Sequence, residues 1–445
     1  MSRGTDPGCD TSDVFPRRPA ALLLAFGLLA AACSSGAEPA VDDPALTDLL
    51  GPADDATADD DATTTLLPPT PTDPPEIEGP MFAGRPVECG GPATTVNPGV
   101  IGVDDATIAI GTGNDRGGFF AGGAGRSMPD AVAAMAGLCN ELGGLAGRTL
   151  VVRDYDAAVV EVAGRATQQC AEVVAMVGYG FLDDISGFDT WTACGLPLLP
   201  GWDRAVVEPP LLLAHGIAAL GDAGARVVAV IGPQTGSGAL TRAATVEALT
   251  AAGFTVAVDT DYSVTGPVDW EVLAADIRRA EVGLVHLDGG CSGVLAPLLA
   301  ALESESIAPF VIGGHRAYDP ACLAEVSAAS NVERVMLELP FLPLADGDAA
   351  PATAAYADAL DRFLVPMTGD SLLAAAAFWR FADATAGCPA LERSCLQVAS
   401  LGVWDGLGLF PSGEKSDCRV VVGVRDGEFV RIAPEEPGAY ACPAG

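Results

Sequence analysis

Short apolar runs rich in β-branched residues alternate along this chain with stretches whose apolar positions recur every three or four residues. A first series has runs at 108–110, 150–152 and 173–177, separated by helix-period segments, and 196–199 supplies a fourth strand. Such alternation is the pattern of strands joined by crossover helices into a parallel sheet. The first helix carries Pro129 near its start, sets Val132, Met135, Cys139 and Leu142 at helical spacing, and stops at Gly143-Gly144, a glycine exit. A second series repeats the first in type and spacing, with strands at 226–231, 254–258, 282–287 and 310–312 and helices around 239–252, 270–280 and 294–303. Two similar halves predict two lobes. The runs at 419–424 and 428–432 flank Asp426-Gly427 and predict a β-hairpin.

The turn after the first helix, Asn140-Glu141-Leu142-Gly143-Gly144-Leu145-Ala146-Gly147-Arg148, resembles the N-x-x-GG-I-x-GR turn of the branched-chain amino-acid (Leu/Ile/Val-binding) type of periplasmic binding protein, here in an actinobacterial-like lipoprotein form. The resemblance runs from about 102 to 432. It implies the type 1 fold: α/β, two doubly wound parallel-sheet lobes joined by a multi-strand hinge. It also implies that 333–343 crosses back, that helices at 352–363 and 371–386 complete lobe 1, and that the terminal hairpin joins lobe 2. The expected organisation is a signal peptide with lipobox at 1–33, a tether at 34–85, lobe 1 at 86–223 and 340–400, and lobe 2 at 224–339 and 401–445.

The ends and the composition fit an exported protein. Arg17-Arg18 precede an apolar run of 13 residues (20–32), short for a permanent membrane span, which ends Leu29-Ala30-Ala31-Ala32-Cys33. That ending resembles a bacterial lipobox, with Cys33 the lipidation site and Ala30 standing where leucine is preferred. Asp6, Asp10 and Asp13 are foreign to a signal n-region, which places the expected translation start near Val14. From 34 to 80 there are twelve acidic residues, no Lys or Arg, and a proline cluster; this composition buries too little apolar surface to order itself and predicts an extended tether. A net charge of −36 excludes a nucleic-acid partner. Twelve cysteines indicate an oxidising compartment. With Cys33 lipidated and Cys9 removed, ten remain, and their spacing does not fix connectivity. Helices 1 and 2 of a doubly wound lobe lie on opposite faces, which disfavours Cys139–Cys170. The preferred set is Cys89–Cys139, Cys170–Cys194, Cys291–Cys322, Cys388–Cys395 and Cys418–Cys442. No metal-ligand spacing is present, so no metal and no cofactor are expected.

In open α/β sheets ligands sit beyond the carboxyl ends of the strands, which nominates the loops 111–118, 180–184, 201–204, 232–237, 288–292 and 313–318. The candidate ligand-binding residues in them are Asp115, Asp183, Trp202, Asp203, Gln234, Thr235, Gly290, His315 and Arg316. The resemblance implies loops that hold an amino acid's ammonium and carboxylate, with Ser or Thr after strands 3 and 4. Here those loops read Tyr179-Gly180-Phe181-Leu182-Asp183-Asp184 and Pro200-Gly201-Trp202-Asp203, and an aspartate there repels an anion in a desolvated cleft. Plainer readings stand beside each candidate: Asp183 capping the helix that follows it, Trp202 as interlobe packing, and Asp115-Arg116 and His315-Arg316 as solvated loop ends.

Enzyme signatures fail. Gly111-Thr112-Gly113 has no helix opening behind it for a pyrophosphate, and Thr235-Gly236-Ser237-Gly238 is not a nucleophile elbow. The expected function is an extracytoplasmic solute-binding lipoprotein of an ABC-type uptake system, not an enzyme. It would be anchored to the outer face of the cytoplasmic membrane, taking a small polar solute, an amino acid or a relative, and delivering it to a membrane permease. The alternatives are a receptor-like lipoprotein that senses a ligand without transport, a surface protein that kept the fold but not the binding, and a hydrolase using Asp183 or Ser237.

Overall fold

A computed structural model describes residues 79–92, 95, 99–118, 124–201, 226–401, 404–411 and 418–442. Cys33, the tether to residue 78, Trp202 and Asp203 lie outside the described residues.

The described chain starts with a small antiparallel hairpin, β1 (Met81–Phe82) and β2 (Arg85–Pro86). Here the structure corrects the expected tether, which was to run to residue 85. Phe82 is buried, its ring centroid 4.8 Å from those of both Tyr356 and Trp379. Burying one such ring contributes about 1.5–3 kcal/mol. Lobe 1 therefore begins before residue 86.

Lobe 1 continues through β3 (Thr107–Asn114), α1 (Ser127–Glu141), β4 (Thr149–Asp156), α2 (Val162–Glu172), β5 (Met176–Tyr179), α3 (Ile185–Ala193) and β6 (Leu198–Pro200). Its sheet is parallel in the order β4-β3-β5-β6. The strand period of two is visible in the packing: Ile108 and Ile110 face one core with Val132 and Met135 of α1, while Ala109 faces a second with Val162, Ala166 and Trp191 of α2 and α3.

Lobe 2 contains β7 (Val227–Pro233), α4 (Gly236–Ala251), β8 (Thr255–Tyr262), α5 (Trp270–Arg279), β9 (Leu284–Leu287), a π turn (Cys291–Leu295) leading into α6 (Ala296–Ser304), β10 (Phe310–Gly314), α7 (Pro320–Val326) and β11 (Val335–Leu339). The chain then returns to lobe 1 as α8 (Pro351–Arg362), α9 (Gly369–Ala386) and α10 (Arg393–Ala399), with α9 packed on α1, β5 and β6. It ends on lobe 2 as β12 (Val420–Arg425) and β13 (Glu428–Ala433). The seven-stranded sheet has the order β13-β12-β11-β10-β9-β7-β8, in which β7 to β11 are parallel and β12 pairs antiparallel with both β11 and β13 at one edge. Asp426 and Gly427 both have positive φ, 53° and 78°, as a tight two-residue hairpin turn requires. Arg431 of β13 forms a buried ion pair with Asp346, which also accepts from Gly438 N at 3.1 Å, and this pins the C-terminal segment down.

The structure joins Cys89 to Cys139, Cys170 to Cys194, Cys291 to Cys322, Cys388 to Cys395, and Cys418 to Cys442. Beside the second of these, Arg393 of α10 donates to the carbonyls of Cys170 (2.7 Å), Val173 (2.6 Å) and Cys194 (3.2 Å). Those carbonyls end α2 and α3, where the helix dipoles are negative, so a cation is held with no carboxylate among these contacts.

The residues of the 140–148 turn have separate jobs. The Asn140 side chain pairs with the backbone of Leu150 in both directions, donating to its O at 3.0 Å and accepting from its N at 2.8 Å, so it extends the edge of β4. Gly144 has φ +82°, and a Cβ there would lie 2.1 Å from Arg148 O. Arg148, nearly buried, donates to the Asp104 and Ala146 carbonyls. We expect Asn140→Ala to destabilise the protein by about 1–3 kcal/mol, since two backbone groups of Leu150 lose their partner. Gly144→Ala should cost at least as much, through both backbone strain and the clash. Urea denaturation of both variants checks this; unchanged midpoints would contradict the assignment.

Candidate functional site

Loops that follow parallel strands of the two lobes meet: the loop after β5 bonds to the start of α4 after β7, and Arg316 after β10 acts on the charge of Asp115 after β3. Asp115, at the end of β3, is fully buried. Its carboxylate accepts from Val159 N at 2.7 Å and from Leu182 N at 2.6 Å. One side chain thus ties the loop after β3 to the loops after β4 and β5. This corrects the reading of Asp115 as a solvated loop end. Its neighbours are used in the same way: Asp154 accepts from Asn114 Nδ2 at 2.8 Å and pairs with Arg116, and Asp156 accepts from Gly117 N and Ala158 N at 3.2 and 3.0 Å.

Burial raises the Asp115 pKa to about 6 from its ordinary 3.8; the two N–H donors oppose that rise, the charge of Asp156 adds to it, and that of Arg316 opposes it. Arg316 belongs to lobe 2, so its field reaches Asp115 across the cleft. It follows β10 and pairs with Asp288, which follows β9, at 3.1 Å; the two side chains are 13 % and 28 % exposed. Burial works against the guanidinium's charge, but Asp288, Tyr262 and Asp370 more than offset it, and its pKa is raised. Tyr262 donates to the Asp288 carbonyl at 3.0 Å. His315 is pushed down to about 3 by burial, with Arg316 and Arg419 adding to the effect, so it is neutral at physiological pH. Its Nε2 is buried with no hydrogen-bond partner. His315 and Arg316 are therefore not the solvated loop end that the sequence allowed.

Asp183 also differs from its plain reading. The residue that precedes α3 is Asp184, and it makes no side-chain cap. Asp183 instead accepts from Gly236 N at 3.2 Å, the first residue of α4 in lobe 2. Asp184 accepts from Ser237 Oγ at 2.5 Å. Thr235 caps α4, accepting from Gly238 N at 3.0 Å. Gln234 is exposed beside it, its N–H on the Tyr262 carbonyl at 2.8 Å, and Gly290 stands at the start of the π turn with room around its Cα. A second interlobe contact lies at α9. Gly369 N donates to Tyr318 O at 2.8 Å, and a Cβ on Gly369 would fall 2.0 Å from His315 O.

The structure thus brings Asp115 and Arg316 within electrostatic reach, and places Asp183 and Thr235 on one helix terminus. Sequence reasoning nominated the loops holding Asp288 and Asp184 without choosing those residues, and named Ser237 only for the hydrolase alternative. Gly369 was missed; its only sequence signal is the Thr368-x-x-Ser371 capping box that starts α9. Among the described residues no cluster of His, Cys, Asp or Glu fits a metal ion, and no helix is long and apolar enough to cross a membrane.

No protein-family model and no curated protein matches the chain. Solved structures do. A fatty acid ABC transporter substrate-binding protein from Thermomonospora curvata superposes with a TM-score of 0.62 at 19 % identity, over 76 % of this chain and 95 % of that one. The leucine-binding protein LivK from Thermotoga maritima gives 0.59 at 14 % identity, over 76 % and 99 %. The branched-chain amino acid substrate-binding protein LivJ from Streptococcus pneumoniae, solved with isoleucine, gives 0.56 at 13 %, over 73 % and 100 %. The fold is that of the type 1 periplasmic binding proteins, as the 140–148 turn implied.

The raised pKa of Asp115 makes a signed prediction. The native state binds a proton at this group more tightly than the unfolded chain does, so its relative stabilisation is complete below pH 4 and is lost as pH rises through about 6. The loss amounts to about 3 kcal/mol. Urea unfolding of wild type and Asp115→Asn between pH 4 and 7 should show a shallower fall with pH in the variant; parallel curves would remove Asp115 from the account.

Proposed function

We propose that the protein is an extracytoplasmic solute-binding lipoprotein of an ABC-type uptake system. It is anchored through Cys33, carried away from the membrane on its acidic tether, and takes a small polar solute between its lobes for delivery to a permease. The observation that carries this reading is the meeting of the two lobes at their strand carboxyl ends, where Arg316 of one lobe, paired with Asp288, lies within electrostatic reach of Asp115 of the other. The solved neighbours include binding proteins whose names specify leucine and fatty acids, with isoleucine bound in one. For this chain a polar solute suits the cleft better than an acyl chain. An apolar tail over Arg316 and Asp288 would take water from partly exposed charges and supply no hydrogen bond in return. Binding by lobe closure needs no covalent chemistry, and Ser237 Oγ faces a carboxylate rather than a histidine base.

The test is a thermal-shift screen of the chain carrying Cys33→Ser, which blocks acylation, against amino acids, amides, polyamines, sugars and short carboxylates. A solute at about 100 times its Kd adds roughly 2.7 kcal/mol to stability. A polar solute whose shift is lost in Arg316→Met supports the reading. A folded protein that responds to none of the panel, or only to long-chain acids, overturns it.

A further inference from the structure

Two carboxylates of lobe 1 bond to one helix end of lobe 2. Asp183 accepts from Gly236 N at 3.2 Å and Asp184 from Ser237 Oγ at 2.5 Å. The first four N–H groups of a helix have no partner within it, and the positive end of the dipole faces whatever stands there. In α4 the third of these N–H groups is satisfied by Thr235 of its own lobe, but the first is satisfied by Asp183 of the other. Backbone position Gly236 also lies close against Ile185 of α3: a Cβ there would be 2.8 Å from Ile185 Cγ2. The contact is therefore specific in both partners, with charge on one side and oriented donors on the other.

We propose that Asp183 and Asp184 form a latch on the α4 N-terminus that holds the lobes closed, so that the protein's own carboxylates set part of the equilibrium between open and closed forms. A latch of this kind acts on affinity without touching the solute. Where a solute enters through the open form, its apparent affinity is scaled by the open fraction, which these two aspartates reduce. It also sets a rule of charge, since an anionic group approaching the α4 terminus competes with two carboxylates already seated there. The inference depends on the two-lobed fold and on no particular solute.

Variants on each side of the cleft test it. Asp183→Ala with Asp184→Ala removes the acceptors. Ser237→Ala removes the hydroxyl donor to Asp184 and adds no atom at the Gly236–Ile185 contact, where a Cβ on residue 236 would by itself force the lobes apart. The readout is the radius of gyration from small-angle X-ray scattering on the solute-free chain carrying Cys33→Ser, with circular dichroism to verify that each variant is folded. The aspartate pair should lower the closed-to-open ratio on the order of tenfold and Ser237→Ala by a smaller factor, each raising the radius of gyration. An unchanged radius in both overturns the latch, as does opening by the aspartate pair alone, which would place their partner elsewhere than α4. Because no solute enters the experiment, its outcome is independent of whether the uptake reading holds.

Discussion

The architecture depends on one helix with almost no exposed face. Of the 18 residues of α9, 14 are buried, and they include Phe378, Trp379 and Phe381 as well as the run Ala374–Ala377. A helix apolar all round is stable only when covered on every side. The cover comes from α1, from β5 and β6, from α10 and from the N-terminal hairpin through Phe82. Close approach is possible because small residues face each other: a Cβ on Gly178 of β5 would lie 2.8 Å from the Ala374 carbonyl. The helix thereby fixes the sheet behind it and, at its other end, sets Gly369 against His315 and Tyr318 of lobe 2. Packing in one lobe decides where the second lobe can rest.

The charge of the chain is handled by a different device. A net charge of −36 suggests a repulsive surface, yet the carboxylates at the strand ends serve mainly as acceptors for backbone N–H groups. Asp115, Asp156 and Asp183 each receive at least one such bond, and Asp154 is neutralised by Arg116. These aspartates hold loops in place. That changes the meaning of an acidic cleft: the side chains that looked like solute ligands are in part the scaffold of the cleft, and Arg316 with Asp288 is the charged pair that lobe 2 adds to it.

Most of the fold was legible because it is written in local periodicity. The alternation of β-branched runs with helix-period segments gave the order of elements, and Asn140, Gly144 and Arg148 are recognisable because a tight turn leaves few residue types that satisfy it. The site was legible only as a set of loops. Asp183 stands in the sequence as a candidate solute ligand or, more plainly, as a cap on the helix that follows it, and it bonds instead to the start of α4, 53 residues away; composition reveals the chemistry of a carboxylate on a helix terminus and not which helix it meets. The same limit applies to Asp115, whose partners Val159 and Leu182 are fixed by three loops folding together. Phe82 fell within an expected tether because a single aromatic among acidic and proline-rich neighbours carries no periodicity.

The two interlobe contacts differ in mechanical position, and this decides what each controls. Tyr318 lies where the chain crosses between lobes: its ring is 5.7 Å from that of Phe341, and its hydroxyl accepts from Leu344 N at 3.4 Å. The Gly369–Tyr318 bond is therefore close to the pivot, where rotation of one lobe against the other displaces atoms little. Asp183 and Asp184 meet α4 through a different set of elements, the helix starts of α3 and α4. A hydrogen bond breaks once its donor and acceptor separate by about an ångström beyond contact distance, so a given rotation breaks the contact with the longer lever arm first. Two side chains of modest energy at that contact can then bias a motion that the larger, better packed contact at the pivot only guides.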